Sequence, residues 1–226
     1  DVLTDFNLTG ISNFHNSKNT IATLSLYSSN NPIQYGIVLT NKQDRIVRFL
    51  EKPSSSEVFS DTINTGIYIF NKEIFDHIPP GESYDFSKDL FPSLLKNNIP
   101  IFGYKTKGYW RDVGNLDEYI EANMDTLKGK LSYIKATDKN GNCISKSAKI
   151  EKGAVIENSI LGDKVIIGKD TVIKNCVLWN NVKVDMNSRL HFDVVGSNCS
   201  IGQGARINDY VFIGNNCRIG KNVYIS

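Results

Sequence analysis

Through the last third of this 226-residue chain an aliphatic residue returns every six positions. Ile160, Ile166, Val172, Leu178, Val184 and Leu190 hold one register. Val195, Ile201, Ile207, Ile213, Ile219 and Ile225 hold a second, and Ile144, Ile150 and Ile156 open the series in a third. A period of six sustained this long fits neither an α-helix nor an alternating strand. It is what a parallel β-helix requires, because each six-residue face supplies one short strand and one large side chain to a shared core. Gly162, Gly168, Gly202, Gly214 and Gly220 are read as following core residues, at tight corners that need permissive backbone. The fold class implied is α/β, a mixed-sheet domain followed by a β-helix. The expected division is an α/β region over residues 1–130, a linker over 131–142 and the β-helix over 143–226.

Composition narrows the function. The chain is 40% hydrophobic and 22% charged, as ordinary globular proteins are. A net charge of +2 gives no electrostatic case for nucleic acid or for an anionic membrane as partner. No apolar run approaches the roughly 18 residues of a bilayer span, and no basic leader precedes a hydrophobic segment. Cys143, Cys176, Cys199 and Cys217 all lie in the repeats, form no C-x-x-C pair and have no His at zinc-ligand spacing. They read as small core fillers, and reduced thiols imply a cytoplasmic protein. The chain opens with Asp1, Val2 and Leu3, without Met or leader, as though it begins inside a domain.

Upstream of the repeats, residues 20–27 and 65–70 are β-branched and apolar and predict buried strands. Residues 35–40 and 45–50 flank the polar stretch NKQD and predict a hairpin. A short helix is expected over 71–77, a longer one over 85–97 with Pro92 inside it, and a strand over 99–105. Asn115, with Glu118 three residues on, predicts a capped helix that Gly129 ends. In sheets of this kind ligands sit beyond the carboxyl ends of strands, so the turns carry the functional information.

Three turns carry suggestive polar groups. Leu50-Glu51-Lys52-Pro53 puts a carboxylate and an ammonium at a strand end. Asn64-Thr65-Gly66 places an amide and a hydroxyl beside a glycine. Tyr109-Trp110-Arg111-Asp112-Val113-Gly114 sets a carboxylate between aromatic residues and a glycine. Taken in order with Asp1-Val2-Leu3-Thr4-Asp5 and Asp85-Phe86-Ser87-Lys88-Asp89-Leu90-Phe91-Pro92, these motifs resemble the sugar-1-phosphate nucleotidyltransferases. The nearest likeness is to bacterial mannose-1-phosphate guanylyltransferases that carry a left-handed β-helix, to which the tract 57–62 (EVFSDT) adds. Residues 109–125 also look like ADP-glucose pyrophosphorylase, so the base and the sugar stay open between mannose with GTP and glucose with ATP, UTP or dTTP.

The resemblance implies transfer of a nucleotidyl group from a nucleoside triphosphate to a hexose-1-phosphate, with release of pyrophosphate. It implies Mg²⁺ as cofactor, with Asp1 and Asp112 as its carboxylate ligands. Lys52 would contact the sugar phosphate, Glu51 the sugar hydroxyls, and Asn64, Thr65 and Gly66 would line the sugar pocket; Trp110 stands as a wall or as a packed aromatic. Lys52 and Asp112 are the residues placed closest to the chemistry. The family's glycine-rich loop, of the form L-x-G-G-x-G-T-R-L, has no counterpart here. The expectation is therefore a fragment holding the acceptor half of an active site, inactive alone and cut within its solenoid. The β-helix would serve assembly into a homo-oligomer. Two other readings are a non-catalytic regulatory or assembly subunit, and a hexapeptide-type acyltransferase. The latter needs a general base, and His191 is the repeats' one histidine.

Overall fold

A computed structural model describes residues 2–132 and 138–226. They form two compact units, 2–110 and 111–226, each of which has its own core.

The first unit is built on β2 (Ala22–Ser28), whose residues are buried on both faces over most of its length. It is the fourth strand of a five-stranded mixed sheet with β3 (Ile37–Thr40), β4 (Ile46–Leu50), β5 (Thr62–Phe70) and β6 (Phe102–Lys105), in the order β4-β3-β5-β2-β6. β2 runs parallel to β6 and antiparallel to β5. The expected hairpin is β3 paired antiparallel with β4, and Asp44 turns the chain between them at φ +65°. Leu24, Leu26, Ile46, Leu90, Phe91 and Leu94 fill the core. Residues 86–96 are helical as expected, but as a π-helical turn, Phe86–Leu90, running into α2 (Phe91–Lys96). Pro92 sits in the first turn of α2, where its missing N–H costs nothing. The segment expected as a short helix after β5 is a 3₁₀ helix, Lys72–His77. Neither β1 (Val2–Thr4) nor helix α1 (Leu8–Lys18), capped by the Asn7 side chain on the Gly10 N–H at 2.9 Å, has a counterpart in the sequence reading. His15 of α1 is buried between Thr23 Oγ1 (2.9 Å) and Asn71 Oδ1 (3.1 Å), a structural histidine.

The division falls within β7 (Trp110–Asp112). The helix predicted from Asn115 is α3 (Leu116–Leu127), with Asn115 Oδ1 accepting from the Glu118 N–H at 2.8 Å. Although its sequence reads as part of the α/β region, its apolar face belongs to the second unit. Ile120, Met124 and Leu127 pack on Val177 and Val194 of the solenoid, with Cys143, Ile160, Phe192 and Phe212 around them. Of the expected linker, residues 133–137 lie outside the described residues; Asp138 to Asn142 form a turn in which Gly141 N–H reaches Asp138 O at 3.0 Å.

The solenoid is a parallel β-helix whose faces are three five-stranded parallel sheets. Its inward column reads Ile144, Leu161, Leu178, Val195 and Ile213, with coils 17 residues long until the last, which is 18. The register predicted for Ile160, Ile166 and Val172 is therefore off by one: Leu161, Ile167 and Ile173 point inward, and the three predicted residues face outward. The steps are six, six and five, so the apparent phase slips are one short corner repeated in each 17-residue coil. That corner is held in the left-handed region by Gly141, Asn158, Asn175, Phe192 and Asp209, at φ between +46° and +75°. The final coil lengthens there, adding Tyr210 at φ +69°.

The glycines are explained differently from the expectation. None of Gly162, Gly168, Gly202, Gly214 and Gly220 has positive φ. A Cβ on Gly168 would stand 2.5 Å from Met186 N, and one on Gly202 would stand 2.7 Å from Gly220 C. In the inner coils these glycines let adjacent backbones touch; the left-handed corners are mostly Asn and Asp, whose short polar side chains tolerate that conformation. Asn181, Asn198 and Asn216 stack their amides at 3.0 and 3.2 Å along another corner. The four cysteines are free thiols; Cys176 and Cys199 lie in the solenoid core and burial raises both pKa values, as expected of packing residues.

Candidate active site

In the first unit the chain leaves β4 through Glu51 and Lys52. Lys52 takes φ +44°, an uncommon conformation for a residue with a side chain, and its N–H bonds Tyr35 O at 3.2 Å. The Glu51 carboxylate is brought over the backbone at Gly36, where no side chain intervenes. Its pKa is raised, chiefly by burial; Asp85 pushes the same way, while Lys52, Lys88 and a hydrogen bond from Ser87 oppose it.

The π-helical turn and the middle of β5 complete the cluster. The Asp85 carboxylate caps the turn by accepting from the Ser87 and Lys88 N–H groups at 2.8 and 2.9 Å. This fixes the Ser87 hydroxyl beside β5, where Asn64 Nδ2 donates to it at 3.3 Å and to the Tyr68 hydroxyl at 2.8 Å. Burial first, then the nearby carboxylates, raises the Tyr68 pKa, so the phenol stays protonated. Glu51, Asn64, Tyr68 and Ser87 are thus one connected polar group, with two ammonium groups, Lys52 and Lys88, beside it. Among the described residues neither lysine has an ion-pair partner within 4.0 Å.

Thr65 and Gly66 play different parts. The Thr65 hydroxyl is buried and donates to Ser25 O at 2.9 Å, so it faces the sheet interior. Gly66 sits at φ +81°, which explains the glycine, and its N–H reaches Asn64 Oδ1 at 3.3 Å. Trp110 donates from Nε1 to Thr65 O at 3.2 Å and packs edge-on against Tyr35 with centroids 5.2 Å apart. It is a packed aromatic that pins the Asn64–Gly66 bend. Tyr68, Ser87 and Lys88 are additions to the predicted set. Their motifs are conspicuous in the sequence, but their convergence on Glu51 needs the bulge between β2 and β5 and the capped π-turn.

Asp112 belongs to the second unit. It is half-buried, and its carboxylate makes no hydrogen bond or ion pair with another described residue. Asp1 lies outside the described residues. Among those described, no group of three or more His, Cys, Asp or Glu side chains could enclose a metal ion. An uncommitted carboxylate nevertheless fits Mg²⁺, which takes one or two carboxylates and completes its shell with phosphate oxygens and water. His191 stands 3.5 Å from Asp209 on the solenoid surface, paired with a carboxylate. No helix among the described residues is long and apolar enough to cross a membrane.

Comparison with known proteins also gives two parts, but divides them after residue 129 rather than within β7. Residues 1–129 match the family model described as Nucleotidyl transferase, and residues 132–226 match that of the EIF2B subunit epsilon LbH domain. The chain is 30% identical over 188 residues to the Mannose-1-phosphate guanylyltransferase of Mycobacterium tuberculosis, covering 82% of this chain and 52% of that protein. It is 31% identical over 226 residues to a UTP--glucose-1-phosphate uridylyltransferase of Synechocystis sp., covering 93% and 52%. To a Glucose-1-phosphate adenylyltransferase of Desulfitobacterium hafniense it is 30% identical over 201 residues, covering 78% and 50%. The chain spans about half the length of the curated relatives it matches.

Proposed function

The chain belongs to the nucleotidyl transferase family, and on that premise we propose that the whole polypeptide joins a nucleoside triphosphate to a hexose-1-phosphate. A phosphate oxygen of the sugar-1-phosphate forms a bond to the α-phosphorus of the triphosphate. The bond from that phosphorus to the oxygen bridging to the β-phosphate breaks, and pyrophosphate departs with the electron pair. Such a reaction asks little covalent chemistry of the protein; it asks that two anions be aligned and their charge offset.

The observation that carries this reading is the connected group Glu51–Ser87–Asn64–Tyr68 beside two lysines that have no ion-pair partner among the described residues. Lys52 and Lys88 offset the charge of the sugar phosphate. Glu51 accepts hydrogen bonds from ring hydroxyls, and its partial burial strengthens them. Asn64 holds the Tyr68 and Ser87 hydroxyls at fixed positions against the sugar. Mg²⁺ would be held by Asp112 together with Asp1, and supplies charge neutralisation at the reacting phosphates. Mannose-1-phosphate and GTP are the preferred pair, supported by the Mycobacterium relative and the tract 57–62. Glucose-1-phosphate with ATP, UTP or dTTP is the alternative, supported by the other relatives. A homo-oligomer is part of the proposal, assembled through solenoid faces other than the one that α3 covers.

Pyrophosphate release by the whole polypeptide, scanned over four nucleoside triphosphates with mannose- and glucose-1-phosphate, is the test. Turnover with one pair assigns base and sugar. Sugar-phosphate binding with no turnover for any pair would replace the enzyme reading with the regulatory-subunit one.

A further inference from the structure

Arg111 immediately precedes Asp112, and α3 grips its guanidinium from both ends of the helix. Nη1 donates to Glu118 in the first turn, and Nη2 donates to Asp125 Oδ2 at 3.0 Å near the last. The Asp125 side chain is 3% exposed, and its other oxygen meets Lys130 Nζ at 2.6 Å. A carboxylate this deep is tolerable because it is paired on both oxygens, and removing a partner leaves buried charge behind. The opposite face of α3 is fastened to the solenoid. Ile120, Met124 and Leu127 are buried against it, Trp179 Nε1 donates to Tyr119 Oη at 3.2 Å, and Tyr210 Oη donates to Glu121 at 3.1 Å.

The contacts therefore run without a gap from the solenoid face, through α3 and the two carboxylates, to the residue beside Asp112. The Asp112 carboxylate has no bond of its own among the described residues, so its place is set by the backbone around it. A guanidinium spanning two carboxylates of one helix is a rigid fork and fixes that backbone. We propose that Asp125 is a positioning residue for Asp112, and that the solenoid, through α3 and Arg111, sets where the Asp112 carboxylate stands. The inference rests on the reading of Asp112 as a metal ligand.

The test uses the whole polypeptide with two readouts, Mn²⁺ binding followed by electron paramagnetic resonance and steady-state nucleotidyl transfer. Asp125→Asn is expected to weaken Mn²⁺ binding and lower kcat by about 10- to 100-fold, the usual penalty for a lost outer-shell partner. The KM for sugar-1-phosphate should hold within about twofold, and Asp125→Glu should recover part of the loss. If Asp112→Asn leaves metal binding and kcat intact, the metal-ligand reading of Asp112 fails. If Asp112→Asn removes both while Asp125→Asn matches wild type, the positioning role fails. A lower melting temperature with metal binding unchanged overturns it as well. Should Asp125→Asn not fold, Arg111→Lys decides on the same criteria, because an ammonium keeps the charge but cannot span both carboxylates.

Discussion

Glu51 and Gly36 are fitted to one another: a methyl group on Gly36 would stand 2.5 Å from Glu51 Oε2. The carboxylate occupies the space that a side chain on β3's approach would take. The same methyl would stand 2.8 Å from Phe49 Cζ, so Gly36→Ala should push Glu51 off the Asn64–Ser87 group and also crowd the Phe49 ring. The expected outcome is a rise in sugar-1-phosphate KM of about tenfold, the cost of roughly one hydrogen bond to a charged group. An unchanged KM in steady-state kinetics would show that Glu51 makes no contact with the sugar.

Thr65 and Asn64 are neighbours with separable roles. Thr65→Val removes a buried hydroxyl bonded to Ser25 O and leaves that carbonyl one partner short. It should cost about 1–2 kcal/mol in urea unfolding with sugar-1-phosphate KM unchanged. Asn64→Ala should instead raise KM, because it frees the Tyr68 and Ser87 hydroxyls together. A Thr65→Val variant of normal stability and altered KM would return Thr65 to the sugar pocket.

Asp193 makes solenoid stability depend on pH. Its carboxylate is fully buried, accepts from the His191 N–H at 2.9 Å and the Val211 N–H at 3.2 Å, and burial pushes its pKa up to about 7. An unfolded chain loses that proton near pH 4. Between about pH 4 and about 7 the folded state thus holds a proton the unfolded state lacks. This contribution to stability is complete below pH 4 and falls as pH rises to 7, by at most about 1.4 kcal/mol per unit. Asp193→Asn should flatten that slope, measured as urea midpoints across the window, at a constant cost for the acceptor it replaces. Parallel curves for the two proteins would contradict the assignment.

The solenoid glycines divide into two kinds. Gly168→Ala would drive a methyl into the backbone at Met186 and should destabilise by about 1–3 kcal/mol. Gly214→Ala meets nothing within 4 Å and should be neutral or slightly stabilising. Thermal melts of the pair would show the contrast; equal melting temperatures would refute the close-approach explanation.

The solenoid was legible in sequence because its period repeats, but its register was legible only in part. Ile160-Leu161, Ile166-Ile167 and Val172-Ile173 are adjacent aliphatic pairs, so hydrophobicity alone cannot say which member faces inward. The answer comes from the five-residue corner, which is visible only as a column of left-handed residues. Helix α1 is not legible in the sequence because Gly10 and several Asn and Ser residues dilute its apolar face. At the site, Glu51, Lys52 and Asn64 stood out as motif residues at turns after or within strands. Ser87 and Lys88 could not be given roles, since what brings them to Glu51 is the Asp85 cap on a turn of unusual pitch.

A 17-residue coil also limits how such a gene can change length. Duplicating or deleting one whole coil moves every downstream residue by one rung and returns each to the column it left. A copying error of any other size would shift the residues that follow out of their columns unless a corner takes up the difference, as the Asp209–Tyr210 corner does. Heritable changes in the height of this domain are therefore expected in whole rungs, and the 18-residue last coil marks a place where one extra residue was absorbed by a corner.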